Sequence, residues 1–247
     1  MHDMPDAVIL CGGQGTRIRS VLGDCPKSMA RIAGQPFLEI LLNQVETAGW
    51  RRVVLCSGYG REALRRYFAS HRSILETCFC EEETPLGTGG ALLNALSLLR
   101  SDAVLVMNGD SYVSVDLAAL YDRYRQLLTK LLMVIVPTDG RNDAGRVVID
   151  SGYRITGFAE KTDPTDNCFY NAGVYLISRP LLETATLGRS ISLERELIPQ
   201  WIPMGIHAFI HNGPLLDIGT PERLATANAF FERQARIKCD CEVPKNV

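Results

Sequence analysis

A membrane-length apolar run, a charge excess of either sign and a rich supply of histidine or tryptophan are all missing from this 247-residue sequence. The longest strand-like apolar stretch, Leu131 to Val136, is six residues, against about 20 for a spanning helix. Twenty-six basic against 28 acidic residues leave a formal charge of −2, without the basic excess of a general nucleic-acid binder. Neither a nucleic acid nor a membrane is an expected partner. Four histidines and two tryptophans argue against a metal-rich or aromatic-platform protein. The polar start, Met1 to Asp6, carries two acids and lacks the order of a secretion signal, so a cytoplasmic protein is expected.

Cysteine, by contrast, is present at eight positions: 11, 25, 56, 78, 80, 168, 239 and 241. Cys78-Phe79-Cys80 and Cys239-Asp240-Cys241 have a single intervening residue, shorter than a zinc knuckle uses. Cys56 and Cys78 fall in apolar strand-like stretches and read as buried thiols. Reduced cytosolic cysteines are the expected state.

Strand and helix patterns alternate through the first half. Ala7–Leu10, Val53–Cys56, Ile74–Cys80 and Ala103–Met107 read as buried strands. Phe37–Ala48, Arg61–Phe68 and Ala91–Leu99 have helical spacing between them. This order predicts an α/β fold: a Rossmann-like, mixed but mainly parallel sheet with helices on both faces. In such sheets ligands bind beyond the carboxyl ends of the strands, so the turns after the first and fourth strands come first. The second half is less regular. Asp116–Leu128, Ser192–Leu197 and Pro221–Ala235 read as helices, and Leu132–Val136, Val147–Ile149, Ile155–Ala159 and Val174–Ile177 as strands. Asp150-Ser151-Gly152 reads as a hairpin turn. Asp116 and Thr220 suit helix starts. A single domain is expected over 1–237, followed by a polar tail at 238–247.

The strongest local signal is Leu10-Cys11-Gly12-Gly13-Gln14-Gly15-Thr16-Arg17, with Pro26-Lys27 beyond it. Glycines after a strand let backbone N–H groups converge on phosphate oxygens. Arg17 and Lys27 would add charge-assisted contacts. Ile18 stands where a dinucleotide fingerprint needs glycine, and Pro26 precedes Lys27-Ser28 where a P-loop needs glycine. A plain glycine-rich turn with surface basic residues remains the alternative.

These residues resemble the signature of the sugar-phosphate nucleotidylyltransferases, and the resemblance continues in the family's order over roughly residues 7 to 225. Leu86-Gly87-Thr88-Gly89-Gly90-Ala91 resembles its base-reading loop, and Asn108-Gly109-Asp110 its first metal-aspartate motif. Glu160-Lys161 and Asn171-Ala172-Gly173-Val174-Tyr175 resemble its sugar-phosphate side. Asp217-Ile218-Gly219-Thr220-Pro221 resembles its second metal-aspartate motif. Cys11, Ile18 and Ser28 depart from the usual small Ala, Leu and Pro, and none removes a chemical group. The short stretch after the last motif leads us to expect neither a β-helical extension nor an acetyltransferase activity.

The resemblance implies a nucleotide-diphospho-sugar transferase fold, with residues 1–115 holding the nucleotide and 116–237 the sugar phosphate. It implies that a nucleoside triphosphate and a sugar 1-phosphate give a nucleotide sugar and pyrophosphate, with the sugar phosphate as nucleophile. Arg17 would grip the leaving phosphates, Lys27 the α-phosphate region and Lys161 the sugar phosphate. Asp110 and Asp217 would hold Mg²⁺. Leu10, Gly12, Gly13, Gly15, Thr16, Glu81, Pro85, Gly87, Thr88 and Gly109 would line the nucleotide. Gly145, Glu160 and Asn171 would meet the sugar. Each acid and base could instead be a turn, cap or surface residue. Ser192, Glu194 and Glu196 read first as helix-start residues and second as sugar contacts. Homo-oligomerisation is left open.

Guanine carries N1–H and 2-amino donors, which need acceptors. Glu81-Glu82-Glu83, just before Thr84-Pro85-Leu86-Gly87, supply them, and no glutamine lies between Cys80 and Ala91. GTP is therefore the expected nucleotide, unless the acids are only a solvated face. Within the family, Arg19-Ser20, Pro36-Phe37-Leu38 and the 85–90 loop most resemble D-glycero-D-manno-heptose 1-phosphate guanylyltransferases. Mannose 1-phosphate guanylyltransferases and N-acetylmuramate or hexose 1-phosphate uridylyl- or thymidylyltransferases are the near alternatives. A glycosyltransferase would want Asp where Asn108 stands. A catalytically silent nucleotide sensor would not need Arg17, Lys27, Asp110 and Asp217 together.

Overall fold

The computed structural model describes residues 4–13, 15–71, 73–138, 145–160, 168–186 and 190–242, with the backbone alone at 159–160 and 238–242. In chain order the first half holds β1 (Asp6–Leu10), α1 (Arg19–Leu22), β2 (Arg31–Ile32), β3 (Gln35–Pro36), α2 (Phe37–Thr47), β4 (Arg52–Ser57), α3 (Arg61–Ser70), β5 (Glu76–Glu81), α4 (Gly87–Asn94) and β6 (Ala103–Asn108). The second half holds β7 (Ser111–Val113), α5 (Leu117–Leu127), β8 (Leu131–Pro137), β9 (Gly145–Ile149), β10 (Ile155–Glu160), β11 (Cys168–Ser178), α6 (Arg179–Leu182), α7 (Ile198–Trp201), β12 (His207–Ile210), β13 (Leu215–Asp217) and α8 (Pro221–Glu242).

The main sheet is mixed, as expected. β6, β1, β4 and β5 are neighbours and run parallel. β11 lies antiparallel beside β6 and carries the sheet on to β9 and β8; β10 pairs antiparallel with β9, and β12 parallel with β8. Strand alternation divides the core between two faces. Ala7, Ile9, Val53, Leu55, Leu105 and Met107 face α2 and α5 through Phe37, Leu38, Leu41, Leu117 and Leu120. Val8, Val54, Cys56, Val104 and Val106 face α4 and the 193–198 segment. A fully buried Val, Leu or Ile contributes about 1.5–3 kcal/mol, so these strands anchor whatever their ends carry.

The two ends of the parallel strands differ. At the amino ends, Arg52 Nη1 donates to Asp6 Oδ1 at 2.9 Å, with the two side chains 10% and 6% exposed. Asp6 also accepts from the backbone N–H groups of Arg100 and Ser101. Burial pushes the Asp6 carboxyl up, but these N–H groups and the Arg52 guanidinium outweigh it and hold it below its ordinary value. Arg52 is further bound by Glu76 and the Leu98 carbonyl. At the carboxyl ends the chain opens into a cleft.

Several boundaries differ from the sequence reading. β5 starts at Glu76, leaving Ile74 75% exposed. Along β5 it is Cys80 that is buried, while Cys78 lies at the edge of the core and receives Arg52 Nη2 at 3.3 Å. α4 begins at Gly87, so the glycines lie inside its first turns. Gly89 and Gly90 N–H both donate to the Ile191 carbonyl, and a Cβ on Gly87 would stand 2.6 Å from that oxygen. Packing against residues 191–197 thus requires glycine here. Leu193–Leu197 form a wide π turn. α8 continues through Glu242, past the expected start of the tail. The Asp150 turn, the Asp116 cap and the Thr220 cap are present. No helix among the described residues is long and apolar enough to cross a membrane.

Candidate active site

β1 ends in a cavity of about 290 Å³ lined by Leu10, Gly12, Gly13, Lys27, Pro85, Gly87, Thr88, Gly109 and Asp110, among others. The first glycines serve different ends. A Cβ on Gly12 would stand 2.8 Å from Glu82 Oε1, so that position is closed by the protein itself. Nothing lies within 4 Å of a Cβ on Gly13, so its backbone faces open space that a ligand can enter. Gly15 has φ +58 at the start of the short Thr16–Ile18 helix that carries Arg17. Gln14 lies outside the described residues.

Lys27 is held in place from behind. Pro26 is buried against Gly60, where a Cβ would stand 2.2 Å from Pro26 Cγ. Lys27 Nζ then donates to Asp110 Oδ2 at 2.6 Å. The lysine side chain is 12% exposed and the aspartate 42%, so the carboxylate keeps a solvent-facing side. Its other oxygen accepts from Ser111 Oγ at 3.2 Å.

Asp217 reaches the same place through a two-stranded sheet. β13 pairs antiparallel with β7, setting Asp217 opposite Ser111, and Ile218 N–H donates to the Asp110 carbonyl at 3.0 Å. Asp217 Oδ1 accepts from Gly219 N–H at 3.0 Å and from Arg223 Nη1 at 3.1 Å. Around Gly219 the charged groups converge. A Cβ there would lie 3.0 Å from Asp217 Oδ1, 3.5 Å from Lys27 Nζ and 3.6 Å from Arg17 Nη2. Four residues from three distant segments therefore converge at one corner, of which Lys27 and Asp110 line the cavity itself.

On the base side the structure moves the acid by one position. Glu81 lines no part of the cavity. It ion-pairs with Arg65 at 2.6 Å, and that partner holds its carboxyl below the ordinary value. Glu82, the next residue, turns to the opposite side and lines the cavity, where its Oε2 accepts from Leu86 N–H at 2.8 Å. A one-residue step along an extended chain reverses the face, which explains the exchange. A wider opening of about 450 Å³, lined by Gly58, Tyr59, Gly60 and Arg61, shares Gly12, Glu82 and Pro85 with this cavity.

The sugar-side residues spread over β9, β10 and β11. Gly145 opens β9 opposite Glu160 of β10. Asn171, in β11, donates from Nδ2 to the Tyr175 hydroxyl at 2.6 Å, and its Oδ1 accepts from Gly173 N–H. Lys161 lies outside the described residues. Sequence reasoning named Tyr175 only within its motif, with no role of its own, and passed over Arg223. Arg223 follows the Asp217 motif in the first turn of α8, a signal that could have found it.

Cys11, the thiol in the cavity lining, is not a ready nucleophile. Burial pushes it up to about 12; the Ser28 hydroxyl opposes this and the Asp110 charge adds to it. The chemistry the corner can perform is charge neutralisation and alignment of phosphates. Asp110 and Asp217 are the carboxylates here that could hold a divalent cation. Among the described residues no group of three or more His, Cys, Asp or Glu could hold one alone, so phosphate and water oxygens would complete the shell, as Mg²⁺ prefers.

Comparison with known proteins gives the family. The profile of the nucleotidyl transferase family matches residues 6–234. The mannose-1-phosphate guanylyltransferase of Mycobacterium tuberculosis is 35% identical over 234 residues, covering 92% of this chain. The chain spans 65% of that relative's length. The D-glycero-alpha-D-manno-heptose 1-phosphate guanylyltransferase of Aneurinibacillus thermoaerophilus is 30% identical, over 88% of this chain and 94% of its own. The crystal structure of HddC from Yersinia pseudotuberculosis superposes with a TM-score of 0.82 at 31% identity, over 92% of this chain and 100% of that one. With the family profile running from β1 into α8, the chain belongs to the nucleotidyl transferase family, among its sugar-phosphate members.

Proposed function

We propose that the chain joins GTP and a sugar 1-phosphate into a GDP-sugar, releasing pyrophosphate. The carrying observation is the corner where Lys27, Arg17, Asp110 and Asp217 meet beside the open backbone of Gly13. In the reaction an oxygen of the sugar phosphate attacks the α-phosphorus, and the bond to the leaving pyrophosphate breaks. Lys27 neutralises charge at the α-phosphate and Arg17 at the leaving group. The Gly13 loop lets phosphates approach closely. Asp110 and Asp217 would hold Mg²⁺, which supplies charge neutralisation between the phosphates. Lys161 and Glu160 belong to the sugar side on sequence grounds.

GTP is favoured by Glu82. One of its oxygens is occupied by Leu86 N–H, which fixes the carboxylate in the wall of the cavity. An acceptor held there suits the N1–H and 2-amino donors of guanine. The guanylyl activity named for the mycobacterial and Aneurinibacillus relatives supports the same reading. So does the complex of the Yersinia protein with GMP-PN, which superposes with a TM-score of 0.81. For the sugar, D-glycero-D-manno-heptose 1-phosphate is our first reading, since the heptose 1-phosphate guanylyltransferases of Aneurinibacillus thermoaerophilus and Campylobacter jejuni both align over most of their lengths. Mannose 1-phosphate is the second, favoured by the higher identity to the mycobacterial enzyme.

The test is a matrix of GTP, ATP, UTP, CTP and dTTP against heptose, mannose and glucose 1-phosphates, with and without Mg²⁺, read by pyrophosphate release. GTP with the heptose phosphate should give the highest kcat/KM. Preference for UTP or dTTP would overturn the guanine assignment, and undiminished turnover in EDTA would overturn the metal assignment.

A further inference from the structure

One carboxylate ties together elements from both halves of the chain. Glu194 lies in the π turn before α7. Its Oε2 accepts from the Thr88 hydroxyl at 2.6 Å and from Ser192 Oγ at 3.2 Å. Its Oε1 faces Asn108 Nδ2 at 3.4 Å and the Tyr175 hydroxyl at 3.5 Å. Thr88 and Asn108 line the nucleotide cavity, and Asn108 stands two residues before Asp110. Tyr175 is fully buried and is bound by Asn171 at 2.6 Å. The base loop, the end of β6 and the sugar-side strand thus meet on one side chain.

Capping does not account for Glu194. Ser192 Oγ accepts from Arg195 N–H, and Glu196 Oε1 accepts from Ser192 N–H at 3.0 Å, so the neighbours cap the turn. Nor does its geometry suit a direct sugar contact. A carboxylate has about four acceptor positions, and four donors already surround this one. The two contacts on Oε2 include the short one to α4, while the two on Oε1, to β6 and β11, are long. Movement of α4 toward a bound base would therefore be felt at Asn108 and Tyr175.

We infer that Glu194 is a positioning residue that couples the nucleotide and sugar-phosphate sites, without touching either substrate. The inference rests on the reading of the two sites given above. Its signature is binding synergy: each ligand fixes the carboxylate in the arrangement the other needs.

The test is calorimetry on the full chain with a non-hydrolysable α,β-methylene GTP analogue and, separately, heptose and mannose 1-phosphates. In the unaltered protein the sugar phosphate should bind about tenfold tighter when the analogue is present. Glu194→Gln should reduce that gain to about twofold or less, while each ligand alone binds within about threefold of normal. Thr88→Val should lose the gain as well, and Thr88→Ser, which keeps the hydroxyl, should restore it. A merely structural role would lower the melting temperature and leave the synergy in place. If the unaltered protein binds no guanine nucleotide, the functional reading falls. If it binds the analogue but shows no synergy, or if Glu194→Gln keeps the synergy, the inference falls. A Glu194→Gln variant that loses only binary sugar-phosphate affinity would make Glu194 a substrate contact and overturn it too.

Discussion

The two ends of the parallel strands each carry a lysine or arginine against an aspartate, and the pairs are built for opposite purposes. At the amino ends, Asp6 and Arg52 are closed in: both carboxylate oxygens are occupied, and the guanidinium reaches Asp6, Glu76 and the Leu98 carbonyl. At the carboxyl ends, Asp110 accepts one bond on each oxygen, from Lys27 and from the Ser111 hydroxyl, and stays 42% exposed, so acceptor positions remain open to solvent. A saturated pair can only hold the fold together. An unsaturated one can exchange partners when phosphate arrives. The comparison teaches that charge placement alone does not mark an active centre; unused bonding capacity does.

The largest expected effect breaks the closed end. Arg52→Ala leaves the Asp6 carboxylate buried without its counter-charge and should cost about 3–5 kcal/mol of stability. Urea unfolding would measure it, and kcat/KM of the folded fraction at low temperature should stay within about twofold of normal. A variant that is stable but inactive would show the two ends not to be separable.

Asp110→Ala is the mirror experiment. Turnover should fall by at least about a hundredfold, since even outer partners of a metal ligand are worth roughly ten- to hundredfold. The unfolding midpoint should barely move, because the side chain is partly solvated. Near-normal turnover at limiting Mg²⁺ would remove Asp110 from the metal. Arg17→Ala comes next, with an expected ten- to hundredfold loss in kcat/KM for the triphosphate, from a charge-assisted contact of about 1.5–3 kcal/mol. Its KM for the sugar phosphate should stay near normal, and an equal rise for both substrates would contradict the division of the cleft.

Much of this was legible in the sequence, and the losses have physical causes. The buried parallel strands announce themselves as apolar runs, and the glycine, lysine and aspartate motifs stand at their ends. Face is harder to read than position. Glu81 and Glu82 look alike in sequence, yet one step of the chain sends the first to Arg65 and the second into the cavity. Depth is harder still: Cys78 and Cys80 share one face of β5, and only the second is buried. Strands as short as β7 and β13 carry too little periodicity to detect, although they bring Asp217 to Asp110. Glu194 reads in the sequence as a helix-start acid first and a sugar contact second, because its partners come from distant segments and only packing gathers them.

Glu82→Gln sharpens the base side with a smaller effect. A carboxamide can offer guanine a donor where an acceptor is needed. The preference for GTP over inosine triphosphate, which lacks the 2-amino group, should shrink by about tenfold. An unchanged ratio would leave Glu82 outside the base site. The smallest effect is in pH. The Asp6 carboxyl lies below its usual 3.8 in the folded protein, so its stabilisation is complete above that value and lost as pH falls through the lower, folded one. Urea midpoints between pH 6 and pH 3 should fall more steeply for the unaltered protein than for Asp6→Asn. Parallel slopes would show that other carboxyl groups govern acid unfolding.

The β7–β13 ribbon also sets the order of events during synthesis. Asp217 leaves the ribosome long after Asp110, when β1, β4, β5 and β6 are already free to pair. Until Leu215 to Asp217 dock on Ser111 to Val113, the nascent chain has a glycine loop, a lysine and one carboxylate, but no second one. A polypeptide stalled or cut before Leu215 would therefore lack the second carboxylate of the cleft, and with it the core contacts of Leu216, Ile218 and Ala227. The cleft is thus completed last, by the same segment that closes the core.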